Sequence, residues 1–252
     1  MTWLRKIFFL LALPSALFAV WWIASAGSTS FFFPPLRDIL GAFGDTWTAE
    51  RWSQDVAPSI GRLLAGYLAS CAIGITLGVC IGRVIWLRQL TEPLLEFLRA
   101  IPPPVLVPVI MLFAGIGDGM KIIVIISGCV WPILLNTVQG VRGIDSVQTD
   151  TAAVYGFSRA TILTRVVVPA ASPQIVTGMR QALSIGVILM VISEMFAAHS
   201  GLGFAIVQFQ RSFAIPAMWS GVILLGLLGV TLALLFHLFD RRALHWYYRM
   251  RS

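Results

Sequence analysis

The sequence predicts an all-α polytopic membrane protein with about six transmembrane helices. Three observations lead there. Of the 252 residues, 58% are hydrophobic and only 12% are charged, against about 25% charged in a typical soluble domain. Mean hydropathy is +0.87. The apolar residues also gather into six runs, at 7–36, 63–82, 100–117, 122–141, 173–198 and 212–239. Each is long enough to cross a hydrocarbon core of ~30 Å. The formal net charge of +7 is no sign of nucleic acid binding, because the basic residues stand singly or in pairs and form no stripe.

The first run is apolar as far as Ala26. Arg5-Lys6 before it and Ala24-Ser25-Ala26 at its end have the form of a cleavable signal. Its apolar stretch exceeds the roughly 7–15 residues of a signal core, so it is read as a retained span. Residues 28–58 follow as the longest segment outside the spans. There Pro34-Pro35 precede Leu36, Ile39, Leu40, Phe43 and Trp47, which approximate one apolar helical face. An amphipathic helix on the outer surface is expected, with Trp47 and Trp52 in the interfacial belt.

The second run carries Gly66, Ser70, Gly74, Gly78 and Gly82, four residues apart. At about 100° per residue this stripe drifts only ~40° per step. Small residues let helices approach closely in lipid, so these five are assigned to helix packing. The partner helix lies either in this chain or in a second copy. The third run opens with Ile101-Pro102-Pro103-Pro104 and contains Pro108, which is expected to kink or loosen the helix. Irregular backbone at membrane depth is tolerated when buried in protein or lining a watery cavity. Pathway lining and a plain kink are both open here. Residues 115–121 are glycine-rich and are read as a tight outer turn. No G-x4-G-K-[ST] cradle occurs anywhere in the chain.

In the fourth run Asn136 and Gln139 lie near the inner end and are placed to hydrogen-bond across helices. The fifth contains Arg180 and Glu194. Glu194 lies near the outer end, as a gate, as a contact with a partner protomer, or as a carboxylate snorkelling to the interface. Cys71, Cys80 and Cys129 sit inside apolar runs and are read as small buried hydrophobes. His199, His237 and His245 are scattered, and no cluster has metal spacing. No nucleophile motif supports catalysis, so the chain is not expected to be an enzyme.

Between the fourth and fifth runs lies the polar loop 142–169, carrying Arg159 and Arg165. It cannot be embedded in lipid, because each charge at the bilayer centre costs about 2.5–3.5 kcal/mol on insertion scales. Asp145 can cap a helix, with Gln148 three residues on, running to about Tyr155. Gly156 permits a sharp corner. Ser158 can cap a second short helix from Arg159 to about Val166, ended by Pro169. Helix, glycine corner and helix make a rigid knob. Ala152 and Ala153 are small enough to seat in a cleft, and Tyr155 and Phe157 can fill pockets. With both termini placed in the cytoplasm, only Arg37, Arg51, Arg62, Lys121 and Arg211 of the 18 Lys and Arg fall outside. That bias puts the loop on the cytoplasmic side.

The order Asp150-Thr151-Ala152, then Gly156, then Pro169 thirteen residues later, resembles the "EAA" loop of ABC importer permeases. Asp150 stands for the usual Glu, Thr151 for the first Ala, and Val166-Val167-Val168 for Ile-x-Leu. Further segments are similar to the nitrate/sulfonate/taurine branch of that family. They are Ser59-Ile60-x-Arg62 with Gly66-Tyr67, Leu98-Arg99-x-Ile101-Pro102 with Pro108, and Gly115-Ile116 with Lys121. Asn136-Thr137 with Gly140, Ser193-Glu194 and Gly201-Leu202-Gly203 complete the set. Phe113-Ala114-Gly115 stands where Phe-Gly is usual.

The resemblance implies a type I ABC importer transmembrane domain in a bacterial inner membrane. It divides the chain into an N-terminal span with its outer segment (1–58), a permease core (59–240) holding the 142–169 loop, and a basic cytoplasmic tail (241–252). Asp150, Thr151, Ala152, Ala153, Tyr155, Gly156, Phe157 and Pro169 would couple to a cytoplasmic ABC ATPase dimer, which would itself bind ATP and Mg. No cofactor is expected in this chain. Pro102, Pro104, Pro108, Asn136, Gln139 and Glu194 would line or gate the pathway. The lining would come from the third to fifth spans, so that cysteines at Val105, Ile133 and Leu189 would report on it. A second permease copy, as a homodimer in preference to a heterodimer, and an extracytoplasmic substrate-binding protein complete the expected partners. The branch points to a small anion such as an alkanesulfonate, taurine or nitrate. The competing class is an ATP-independent carrier or channel, which would need inverted repeats or charged relay residues in mid-membrane; neither is visible.

Overall fold

The computed structural model describes the backbone of residues 3–196 and 198–251, and the side chains of 12–196 and 198–250. Arg5 and Lys6, counted above among the inner charges, have side chains outside that range. The described residues form helices α1 (Trp3–Ser25), α2 (Leu36–Thr46), α3 (Ala49–Arg83), α4 (Ile85–Ala100), α5 (Pro103–Ala114) and α6 (Asp118–Arg142). After these come α7 (Ser146–Val154), α8 (Arg159–Phe196), α9 (Leu202–Arg211), α10 (Ile215–Ala243) and α11 (His245–Arg251).

Four of these, α3, α6, α8 and α10, are long and apolar enough to cross a membrane. A fifth span is counted if the bent pair α4–α5 is taken as one. The first expected run starts among residues whose side chains lie outside the described range, and the part with described side chains is the apolar helix Ala12–Ser25. The third run is the main departure. It is not one helix through 100–117: α4 reaches Ala100, the chain bends by 82°, and α5 begins at Pro103. Three consecutive prolines are the cause. The residue before a proline is pushed out of the helical region, and Ile101 and Pro102 are both extended (ψ 118° and 122°). Pro108 does not kink α5; it sits in the first turn of the α-helix that begins at Val107, where its missing N–H removes no bond.

The bundle is built around α6. A Cβ placed on Gly66, Gly74, Gly78 or Gly82 of α3 would come within 2.7, 2.9, 2.6 and 2.8 Å of Ile125, Ile133, Thr137 and Val141 of α6. Those distances lie far inside the optimal ~3.5–4.0 Å carbon separation. The two numbers in each pair differ by 59, so α3 and α6 run parallel in one register along their length. The small-residue stripe thus packs within the protomer, and Ser70 on the same face returns its hydroxyl to the Gly66 carbonyl at 2.7 Å. On its other side α6 meets α8 in antiparallel fashion. Gly178 of α8 faces the Pro132 carbonyl, and Gly140 of α6 faces that of Ala171.

Two further expectations are corrected. The amphipathic α2 forms as expected and turns its apolar face onto the bundle, so Trp47 does not stand in an interfacial belt. Leu36 and Ile39 are buried, and Trp47 donates its indole N–H to Ser220 of α10 at 3.1 Å. Only Trp52 is left exposed as an interfacial ring would be. Of the three cysteines, Cys71 and Cys129 are buried but Cys80 is exposed. The 58/59 division falls inside continuous α3. A π turn at Trp52–Val56 lets that helix pass Pro58, with Ala57 bonding back to Trp52 instead of one residue nearer.

Candidate functional site

The loop between α6 and α8 is an elbow outside the spans. Asp145 caps α7 by accepting from the Val147 N–H at 3.0 Å. Gly156 turns the chain at φ +77°, a conformation that side chains with a Cβ rarely take. Ser158 then caps the start of α8, accepting from the Thr161 N–H at 3.2 Å. Pro169 does not end the second helix. The π turn Leu163–Val167 widens the helix just ahead of it, the Val168 N–H reaches back to Leu163, and the helix continues to Phe196. Widening absorbs both the absent donor and the ring clash of proline.

One face of the elbow belongs to the protomer and the other is open. Ala152 is buried with Ile162, Val167 and Ala171 in a small core of its own, so it cannot also seat in a partner's cleft. Asp150, Thr151 and Ala153 are exposed. So are Val147, Val154, Tyr155 and Phe157, at 64%, 87%, 77% and 53%. Outside the bilayer, that apolar cluster is unusual for a surface with no partner.

A second constellation lies at the opposite ends of α6 and α8. Asp55, Ser59 and Arg62 project from one face of α3. The Arg62 guanidinium donates to Glu194 at 2.8 Å, to Asp118 at 2.8 Å, and to the Ser200 hydroxyl and carbonyl at 3.0 Å each. Glu194 also receives the Ser59 hydroxyl at 2.7 Å and the Gly203 N–H at 3.0 Å. Ser59 accepts the Leu202 N–H at 2.9 Å, and Asp55 accepts the Gly201 N–H at 3.0 Å. Lys121, itself buried, stands 3.4 Å from Asp118. A Cβ at Gly201, whose φ is +123°, would strike the Glu194 carboxylate. These bonds tie three long helices and the start of α9 into one knot.

Glu194 therefore does not snorkel; its side chain is 0% exposed and faces inward, onto groups of its own protomer. The motif residues Ser59, Arg62, Glu194, Gly201 and Gly203 converge here, while Asp55 and Ser200 were not singled out. Their signal was legible. Asp55, Ser59 and Arg62 recur at four and three residues along α3, and Glu194 is the one carboxylate in the apolar run 173–198.

The expected pathway residues do not converge on one cavity. Asn136 donates to the Pro132 carbonyl at 2.8 Å and, across helices, to Gln181 at 3.3 Å, while Gln139 is exposed. Pro102 and Pro108 are exposed, and Pro104 is half-buried. Val105 is 63% exposed, but Ile133 and Leu189 are at 0% and 1%, so neither can line a pathway. Among the described residues no group of His, Cys, Asp or Glu could hold a metal ion.

The family model described as "Binding-protein-dependent transport system inner membrane component" matches residues 72–245. The taurine transport system permease protein TauC of Escherichia coli K12 is 28% identical, over 96% of this chain and 91% of its own length. The putative aliphatic sulfonates transport permease protein SsuC of the same organism is 30% identical, over 93% and 90%. Among solved structures, the MetNI methionine ABC transporter in an inward-facing conformation shares the fold. The TM-score is 0.63 at 19% identity, over 75% of this chain and 94% of the other. The chain belongs to the family of binding-protein-dependent transport system inner membrane components, the permease subunits of ABC importers.

Proposed function

We propose that this permease subunit pairs with a second copy of itself and docks its 142–169 elbow into a cytoplasmic ABC ATPase dimer that binds ATP and Mg. An extracytoplasmic binding protein delivers a small anion, of the class of taurine, alkanesulfonates or nitrate, to a pathway formed between the two copies. The observation that carries this reading is the unbroken helix from Arg159 to Phe196. Its first turns sit in the elbow and its last turn holds Glu194, so a push on the elbow reaches the far end of the span without crossing a flexible joint. The pathway is assigned to the exposed face of α5, which shows Val105, Val109, Leu112 and Phe113 at 63%, 47%, 83% and 88%. The names of the relatives TauC and SsuC support the anion class.

A cysteine at Val154, on a chain lacking Cys71, Cys80 and Cys129, tests the docking. Bifunctional thiol reagents should join it to a cysteine in the ATPase subunit, and the yield should change on adding ATP. A cysteine at Ile23, 75% exposed on α1, should give no such product. Equal yields from both positions would refute docking by the elbow.

A further inference from the structure

At the elbow end of α10, three groups able to donate to an anion line one cavity. His237 and Arg241 stand four residues apart on α10, and His245 opens α11. With Tyr248 they surround about 410 Å³. The carboxylate beside this cavity, Asp240, is already engaged. It is 2% exposed, pairs with Arg180, and has the Tyr248 hydroxyl 3.4 Å from each oxygen. The cavity therefore faces outward with cationic and N–H groups and no free acid.

Its surroundings are those of a lipid interface. On the membrane side α10 exposes Leu234, Leu235 and Leu238 at 57%, 57% and 64%. On the other side Trp246 and Tyr248 are 41% and 48% exposed, as rings of an interfacial belt are. A ligand that fits has an anionic head for the His–Arg–His cluster and an apolar tail for the leucine face.

We propose that this cavity binds the phosphate of an acidic glycerophospholipid, whose acyl chains lie along Leu234 and Leu238. Arg241 supplies paired N–H donors to the phosphate oxygens, and His237 and His245 close the sides. The site depends on α10 crossing the bilayer and on nothing assigned above to the elbow or the substrate. A lipid held here would brace α11 against α10 at the membrane surface.

The test is native mass spectrometry of the full chain in detergent, titrated separately with phosphatidylglycerol, phosphatidylcholine and inorganic phosphate. Phosphatidylglycerol should be retained at concentrations at least tenfold below phosphatidylcholine. Arg241→Gln should weaken its retention about fivefold, as expected for one basic side chain at an anionic surface. His237→Gln/His245→Gln should weaken it as well and serves as the readout should Arg241→Gln not fold. Arg242→Gln removes the same charge outside the cavity and should leave retention unchanged. Equal retention of the two lipids, or equal effects of Arg241→Gln and Arg242→Gln, would overturn the proposal. Displacement of the lipid by millimolar phosphate would overturn it too, by making this a site for a soluble anion.

Discussion

Arg62→Met is expected to destabilise the chain by about 3–5 kcal/mol, the range for removing one partner of a buried ion pair. The substitution leaves Glu194, 1% exposed, with only the Ser59 hydroxyl and the Gly203 N–H. It also frees the Ser200 carbonyl and leaves Asp118 with Lys121 alone. Most of the effect is the cost of an uncompensated buried carboxylate rather than the worth of the pair. Replacing both partners, as Arg62→Met/Glu194→Met, should therefore recover much of the loss. Thermal unfolding of the detergent-purified chain measures both. A single variant within about 0.5 kcal/mol of the parent, the level of an ordinary surface change, would show that the knot does not hold the three helices together.

Gly156→Val is expected to abolish coupling while leaving the spans inserted. Nothing lies within 4 Å of a Cβ at this position, so space is not the obstacle. The obstacle is φ +77°, where a residue with a Cβ loses about 1–2 kcal/mol and a β-branched one fares worst. The elbow would re-aim Tyr155 and Phe157 instead of taking that strain. Gly156→Asn separates the causes, because Asn tolerates the left-handed region. ATPase activity stimulated by the binding protein should fall at least tenfold in Gly156→Val and survive in Gly156→Asn. Equal activity in the two variants would mean that the corner's geometry is immaterial.

The fold was legible wherever apolar runs, caps and small-residue spacing acted locally. Asp145, Gly156 and Ser158 place the elbow because caps and positive φ are properties of single residues and their near neighbours. Prolines were misread in both directions. Pro169 was expected to stop a helix, but a π turn one step upstream carries the helix past it. Pro108 was expected to kink a helix, but the helix begins beside it. The bend went instead to Ile101 and Pro102, each followed by a proline and each extended. Arg62 and Glu194 could be seen one at a time, but their pairing could not. They are separated by 132 residues, and only the parallel register of α3 with α6, together with the antiparallel packing of α8 on α6, brings both to the same end. Ala152 was misassigned because a small residue suits a partner's cleft and a protomer's own core equally well.

The most direct test of the central claim is solute uptake into proteoliposomes containing this chain with its ATPase subunit, the binding protein being added outside. Radiolabelled taurine, an alkanesulfonate and nitrate are supplied in turn. The account predicts accumulation of at least one of them that requires ATP and ceases when either partner is omitted, while this chain alone gives neither uptake nor phosphate release. Flux of any of the three through this chain alone, without nucleotide, would contradict it and make the protein a carrier or channel in its own right.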